Sequence, residues 1–284
     1  MYAITGITGQ VGGALARTLL AAGQPVRAVV RDTGKGQYWK ELGCELACAD
    51  MADAIALAAA FSEVQGAFVL LPPTFDPTSG FSEARAYIAA VKSALATARP
   101  ERVVCLSTIG AQAEQVNLLT QLSLMEESLS ELDLPICFLR PAWFMENAAW
   151  DIASAREQGV IASFLQPLDK AVPMVATADV GRVAAGLLHE RWCGKRIVEL
   201  EGPCRITPNV LAATLGKILD RGVRAEAVPR PTWGDLFTSQ GMNNPLPRMR
   251  MLDGFNKGWI DFAGHTVKGR IELESVLLEL ARRN

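Results

Sequence analysis

Residues 2–12, Tyr-Ala-Ile-Thr-Gly-Ile-Thr-Gly-Gln-Val-Gly, constrain this chain more than any other stretch. A short apolar strand runs straight into Gly6, Gly9 and Gly12. A helical pattern follows at once, with Val11, Leu15 and Leu19 on one stripe. This order of strand, glycine turn and helix suits the cradling of a dinucleotide pyrophosphate. Gly6 permits the tight turn, Gly9 lets backbone approach phosphate oxygens, and Gly12 lets the helix lie close on the sheet. The helix N-terminus then offers unpaired N–H groups and a partial positive charge. The spacing is G-x-x-G-x-x-G, so the generic G-x-G-x-x-G fingerprint is matched in its placement rather than its letters. Thr8, Gln10 and Val11 complete the expected cradle.

The first half of the chain keeps a regular alternation. Apolar strands are expected at 2–5, 25–30, 44–49, 66–71, 102–107 and 135–140, with helices at 34–42, 52–61, 79–97 and 118–131 between them. The strands are apolar on both faces, as in a parallel sheet covered on both sides. Such alternation implies right-handed crossovers and an α/β fold, a doubly wound parallel sheet of Rossmann type. After Pro141 the rhythm loosens. A helical run ends at His189, a strand follows at 196–201, a helix at 208–220, a strand at 223–228, and an amphipathic helix closes the chain. The expected division is a cofactor-binding domain over 1–150, rejoined by about 176–201. A smaller C-terminal α/β substrate lobe would be built from 151–175 and 202–284.

Composition removes several classes of function. The chain has 284 residues, half of them hydrophobic, and 28 basic against 30 acidic residues give a net charge of −2 with no basic block. Nucleic-acid binding thus has no electrostatic footprint, and no stretch is apolar enough for long enough to span a bilayer. With the first strand at Tyr2, no secretory leader is expected, and a cytoplasmic monomer or homodimer is. The six cysteines fit a reducing compartment. Cys44 and Cys48 fall on one strand, roughly 13 Å apart and too far for a disulfide. Cys105 and Cys137 read as core residues. His189 and His265 are the only histidines, and no metal site is expected.

In a doubly wound sheet, ligands bind outside the carboxyl ends of the strands. The second strand ends in Arg31-Asp32. A guanidinium there grips a 2′-phosphate, and with Lys35 one turn on it favours NADP(H) over NAD(H). In the competing reading Asp32 takes a ribose 2′-hydroxyl and the cofactor is NAD. Asp50-Met51 ends the third strand, facing adenine or, for Asp50, capping the next helix. Leu70-Leu71-Pro72 ends the fourth, beside the ribose. Ser107 ends the fifth, at the height of the nicotinamide, and Pro141 ends the sixth. Trp143, Phe144 and Asn147 then follow as candidate substrate-binding residues. Trp143, Phe144 and Trp150 line a pocket for a flat substrate or else form lobe core. His189 suits a helix C-terminus better than catalysis, and His265 sits in a Gly-flanked turn.

Thr5–Gly12, Val30-Arg31-Asp32 and Leu139-Arg140-Pro141-Ala142-Trp143-Phe144-Met145-Glu146-Asn147 together resemble the NmrA-like group of atypical short-chain dehydrogenases. Thr177–Gly181 is similar to that group's helix start. The resemblance implies a Rossmann domain, NADP(H) and a small substrate lobe. It also implies either a reductase of quinones, azo dyes, triphenylmethane dyes or phenolic ethers, or a non-catalytic dinucleotide sensor that binds a protein partner. Typical short-chain dehydrogenases carry Tyr-x-x-x-Lys. The tyrosines here are Tyr2, Tyr38 and Tyr87, none with a lysine placed for that role. Many relatives keep a lysine or histidine shortly before the acidic pair that Glu126-Glu127 matches, and Thr120–Met125 has neither. The catalytic residues are left unassigned. The expected function is NADPH-dependent hydride transfer to a planar, electron-poor small molecule that takes its proton from water.

Overall fold

The computed structural model describes residues 1–283. At its centre β1 (Tyr2–Ile4) is flanked in parallel by β2 (Val26–Val30) and β4 (Gly66–Val69), with β3 (Glu45–Cys48) outside β2. Beyond β4 come β5 (Arg102–Leu106) and β6 (Ile136–Pro141). Three short strands follow in the chain: β7 (Trp143–Phe144), β8 (Val160–Ser163) and β9 (Met174–Val175). Then come β10 (Lys195–Glu201), β11 (Arg224–Ala227) and β12 (Thr266–Lys268). The eight-stranded sheet runs β12-β10-β6-β5-β4-β1-β2-β3, and every pairing is parallel. Strand order reverses at β1, which places a crevice above that strand's carboxyl end.

The strands read as apolar on both faces because both faces are covered. Tyr2 and Ile4 of β1, with Val104 and Leu106 of β5, join one core; Ala3, Val103 and Cys105 join another. On the first face lie α1 (Gln10–Ala21), the short α2 (Gln37–Glu41) through Trp39, and, from later in the chain, α7 (Thr177–His189). On the second lie α3 (Ala54–Phe61), α4 (Ser82–Ala98) and α5 (Thr120–Ser130). A third core gathers Met145, Ile152, Trp233, Phe237, Leu252 and Phe255. It is enclosed by α6 (Ile152–Gln158), α8 (Pro208–Leu219), α9 (Trp233–Ser239), α10 (Leu246–Lys257) and α11 (Leu273–Arg283), over the small parallel pairs β8–β11 and β7–β9.

Several elements depart from their sequence pattern. The helix expected over 34–42 begins as a 3-10 turn, Thr33–Gly36, because the Asp32 carboxylate accepts from the Gly34 N–H at 2.8 Å. The third strand is an edge and is half-exposed rather than covered on both faces. Residues 266–268, read as lobe, instead pair with β10 as the eighth strand. That strand is three residues long and mostly polar, so it carries no period to detect. Among the described residues all six cysteines are free, with Cys105 and Cys137 fully buried, and no helix is long and apolar enough to cross a membrane.

Glycine sets the approach of α7 to α1. A Cβ on Gly181 would lie 2.6 Å from both the Ala14 Cβ and the Leu15 backbone nitrogen. Gly186, one and a half turns further along α7, is exposed and has open space. Gly181→Ala is therefore expected to cost about 1–3 kcal/mol by overpacking. Gly186→Ala is expected to gain about 0.5–1 kcal/mol from helix propensity alone. Urea denaturation midpoints of the two variants should move in opposite directions.

Candidate functional site

The turn after β1 is built so that no side chain fits inside it. Gly6 holds φ +63°, which favours glycine. The Gly9 N–H donates to the Gly6 carbonyl at 3.0 Å. A Cβ on Gly12 would stand 2.3 Å from that same carbonyl oxygen. Gly9 is the N-cap of α1 and supplies no side-chain cap, so the first N–H groups of the helix have no side-chain acceptor. Thr8, Gly9 and Gln10 are exposed at this mouth, whereas Val11 is buried beneath it in the core. The neighbouring strand closes one wall. Thr5 Oγ1 accepts from the Leu70 N–H at 2.8 Å, and the Leu70 side chain rests on Gly6.

Parallel pairing carries the other strand tips to the same edge. Arg31 is the first residue past β2; it and Lys35 are exposed and make no ion pair among the described residues. Asp32, the alternative ribose partner, has its Oδ1 committed to Gly34. Asp50 accepts from the Ala52 N–H at 2.9 Å in a tight turn. It is not the cap of the following helix: Asp53 is, accepting from Ile55 and Ala56. Met51 and Leu71 are buried, and Pro72 is half-buried at the tip of β4.

At the tips of β5 and β6 the structure holds a charge cluster that the sequence reading missed. The Ser107 hydroxyl donates to Glu126, so it is not free at the cleft. Arg140 of β6 grips the same carboxylate through Nε at 2.9 Å and Nη2 at 2.6 Å. Its Nη1 reaches Gln112 at 3.1 Å and lies 3.6 Å from Glu199 of β10. Glu199 in turn accepts from the N–H groups of Ala263 and Gly264. Ser107, Glu126, Arg140 and Glu199 are all buried. The signal was present: an arginine inside the apolar run Ile136–Pro141 needs a buried carboxylate. Pro141 itself is buried, and its carbonyl accepts from the Ile109 N–H.

The segment after Pro141 divides its residues among different tasks. Trp143 packs edge-on against Phe255 of α10, with ring centroids 5.3 Å apart, and Phe144 lies half-buried against the first core. Glu146 accepts from both the N–H and the hydroxyl of Thr177, so it caps the start of α7. Its burial raises the carboxyl pKa, opposed by those two bonds. Asn147 is exposed, and Trp150 is 90% exposed, so Trp150 belongs to neither a lobe core nor an enclosed pocket. Asp179 is fully buried. Burial works against its charge, but the Ile271 N–H, the Arg182 guanidinium and the Arg270 N–H outweigh it and hold the pKa below the usual range. The carboxylate thus fastens the entry to α11 onto α7.

The loop after β4 is tied to the segment between α9 and α10. Asp76 accepts from the Asn243 N–H and side-chain amide and from the Asn244 N–H at 2.7–2.9 Å, and Asn244 returns a bond to the Pro77 carbonyl. Away from the cleft, Tyr2 is buried with its hydroxyl 3.2 Å from His189 Nδ1, at the C-terminal end of α7. Tyr38 is exposed on α2, Tyr87 lies on α4, and His265 is exposed just before β12. No group of metal-ligating side chains occurs among the described residues.

A doubly wound parallel sheet with a glycine turn at its switch point defines a Rossmann-type dinucleotide-binding protein. The chain belongs to the NmrA-like family, whose model matches residues 2–258. It is 27% identical over 248 residues to an NAD(P)H azoreductase of Xenophilus azovorans, covering 87% of this chain and 83% of that one. Among solved structures it resembles the triphenylmethane reductase of Citrobacter sp. complexed with NADP(H), with a TM-score of 0.82, 21% identity and 99% of both chains covered. It also resembles an NADPH-dependent quinone oxidoreductase of Escherichia coli complexed with NADPH, with a TM-score of 0.78, 24% identity and 100% and 98% coverage. At these identities the likeness to the two structures is one of fold.

Two outcomes follow from the electrostatics. Glu126→Ala leaves Arg140 buried with only the more distant Glu199. It should cost about 3–5 kcal/mol in urea denaturation. Asp151 follows Trp150, and burial pushes its carboxyl up to about 6 from an ordinary value near 3.8. The folded state therefore holds that proton more tightly than the unfolded chain, and the associated stability is full below about pH 4 and lost as pH rises through 6. Asp151→Asn should match the parent near pH 4 and be the more stable protein above pH 6, read as the difference in denaturation midpoint across that range.

Proposed function

We propose that this protein is an NADPH-dependent reductase of a planar, electron-poor small molecule, an azo dye, a quinone or a related acceptor. One observation carries the cofactor half of this reading. The uncapped start of α1 stands over a turn in which a Cβ at Gly12 would collide with backbone, beside two cations without carboxylate partners. Gly6, Thr8, Gly9, Gln10, Val11 and Gly12 would hold the pyrophosphate. Arg31 and Lys35 would take the 2′-phosphate, which favours NADP(H) over NAD(H). Asp50, Met51, Leu70, Leu71 and Pro72 would flank the adenosine and ribose, and Ser107 and Pro141 would border the nicotinamide end. We assign cofactor binding to 1–150 with 176–201, and acceptor binding to the remaining lobe.

A bound nicotinamide supplies the hydride, and the protein's task is to orient the acceptor and exclude water. Trp143, Phe144 and Asn147 are the side chains proposed to meet the acceptor. With Ser107 donating to Glu126, an acceptor whose product takes its proton from water suits this site. The likeness to the azoreductase and to the triphenylmethane reductase and quinone oxidoreductase structures supports this acceptor class.

Purified protein titrated with NADPH should quench tryptophan fluorescence, and nicotinamide absorbance should fall when an azo dye, a naphthoquinone or a triphenylmethane dye is added. Binding without turnover on any acceptor would replace the enzyme with a dinucleotide sensor. Arg31→Ala is expected to weaken NADPH by about tenfold while leaving NADH within about twofold, because only the former carries the 2′-phosphate.

A further inference from the structure

We infer that Arg17, held by Trp39, is a third cation of the 2′-phosphate pocket and sets the preference for a phosphorylated dinucleotide. The inference rests on the cofactor reading above and adds to it a residue outside the glycine turn and the tip of β2.

Arg17 lies two turns into α1. Side chains on a helix lean toward its N-terminus, and Arg17 follows that rule: its Nη1 stands 3.3 Å from where a Gly13 Cβ would be. Its charge therefore sits a full turn closer to the glycine loop than its own Cα. At the same spot lies the indole of Trp39, whose Cζ2 is 3.5 Å from that Cβ position. The Arg17 guanidinium carbon is 5.9 Å from the Trp39 ring centroid, within cation–π range. Trp39 is itself fixed, 4% exposed and packed in the first core with Val11 and Leu15. It belongs to α2, immediately after the turn that carries Lys35.

Three cations thus come from neighbouring elements: Arg17 from α1, resting against Trp39 of α2, Arg31 from the end of β2, and Lys35 from the turn that leads into α2. Among the described residues none of the three has a carboxylate partner. The adjacent acid, Asp32, is turned to its own backbone. Cations without counter-ions are open to charge-assisted bonds with a dianionic phosphate. Through Gly13 the Arg17 guanidinium adjoins the end of the glycine turn, and through Trp39 it adjoins the element that follows β2, the two places where a dinucleotide fold meets the pyrophosphate and the adenosine ribose. A guanidinium already resting on an immobile indole loses less freedom on binding than a free side chain would. Gly13 eases the arrangement, since a Cβ there would crowd the guanidinium at 3.3 Å.

The test compares dissociation constants for NADPH and NADH, with adenosine 2′,5′-bisphosphate and adenosine 5′-monophosphate as competing probes, in the parent, Arg17→Ala and Arg31→Ala proteins. Arg17 is exposed, so its loss should leave the fold intact, and NADH affinity serves as the internal check. The expected result is a loss of about tenfold for NADPH and the bisphosphate in Arg17→Ala. NADH and the monophosphate should stay within about twofold. If Arg17→Ala keeps the parent ratio of NADPH to NADH affinity while Arg31→Ala collapses it, the role of Arg17 is overturned and the cofactor reading stands. If both variants keep the ratio, the 2′-phosphate assignment falls with it.

Discussion

The close contact of α1 with the polypeptide around it is the constraint on which the rest of the structure depends. Gly12 brings the helix start against the Gly6 carbonyl, and Gly181 brings α7 against Ala14 and Leu15. A methyl group at either point would collide with backbone. The same close approach that seals the first core leaves the N–H groups of α1 pointing into an open, side-chain-free turn. Packing and anion attraction thus arise from one arrangement: the absence of Cβ atoms tightens the core below and exposes backbone dipoles above.

A second organising element is electrostatic. Arg140 joins α5 to β6 through Glu126 and approaches β10 through Glu199, whose carboxylate holds the 263–264 backbone. Two carboxylates and one guanidinium gathered from α5, β6 and β10 are costly to bury, and the cost is offset only when every lone pair finds a donor. Ser107 and the N–H groups of Ala263 and Gly264 are those donors. The cluster therefore ties one loop, one helix and two strands together through satisfied polar contacts. Glu146 at the start of α7 and Asp179 at the entry to α11 act in the same manner, each ending the unmet hydrogen bonds of a distant segment.

The fold was legible wherever both faces of an element are buried. Strands β1, β2, β4, β5 and β6 stand within a residue or two of their sequence positions, because a continuous apolar run between turns has few other uses. Legibility failed at Thr266–Lys268, whose place in the sheet is decided by a partner strand 65 residues away. It failed also at Trp150, since an aromatic residue in a sequence does not disclose which way it faces. At the candidate site, the glycine turn and Arg31 could be read locally. The need of Arg140 for a buried carboxylate was legible, but its partners Glu126 and Ser107, like the Arg17–Trp39 pair, were not, because only the tertiary fold brings these side chains together. The Leu139–Asn147 run, which carried the family resemblance, proves to owe two of its residues, Arg140 and Glu146, to structural support.

The bridge from Asp76 to Asn243 and Asn244 differs in kind from these buried clusters. Its hydrogen bonds are exposed at Asn243 and part-buried at Asn244, and those donors hold the Asp76 carboxyl below its usual pKa against the opposing effect of burial. The loop after β4 is therefore tied to the segment between α9 and α10 by hydrogen bonds at and near the surface. The tie between the sheet's loop and the segment before α10 is thus set by donor placement at Asn243 and Asn244, and apolar packing has no part in these four bonds.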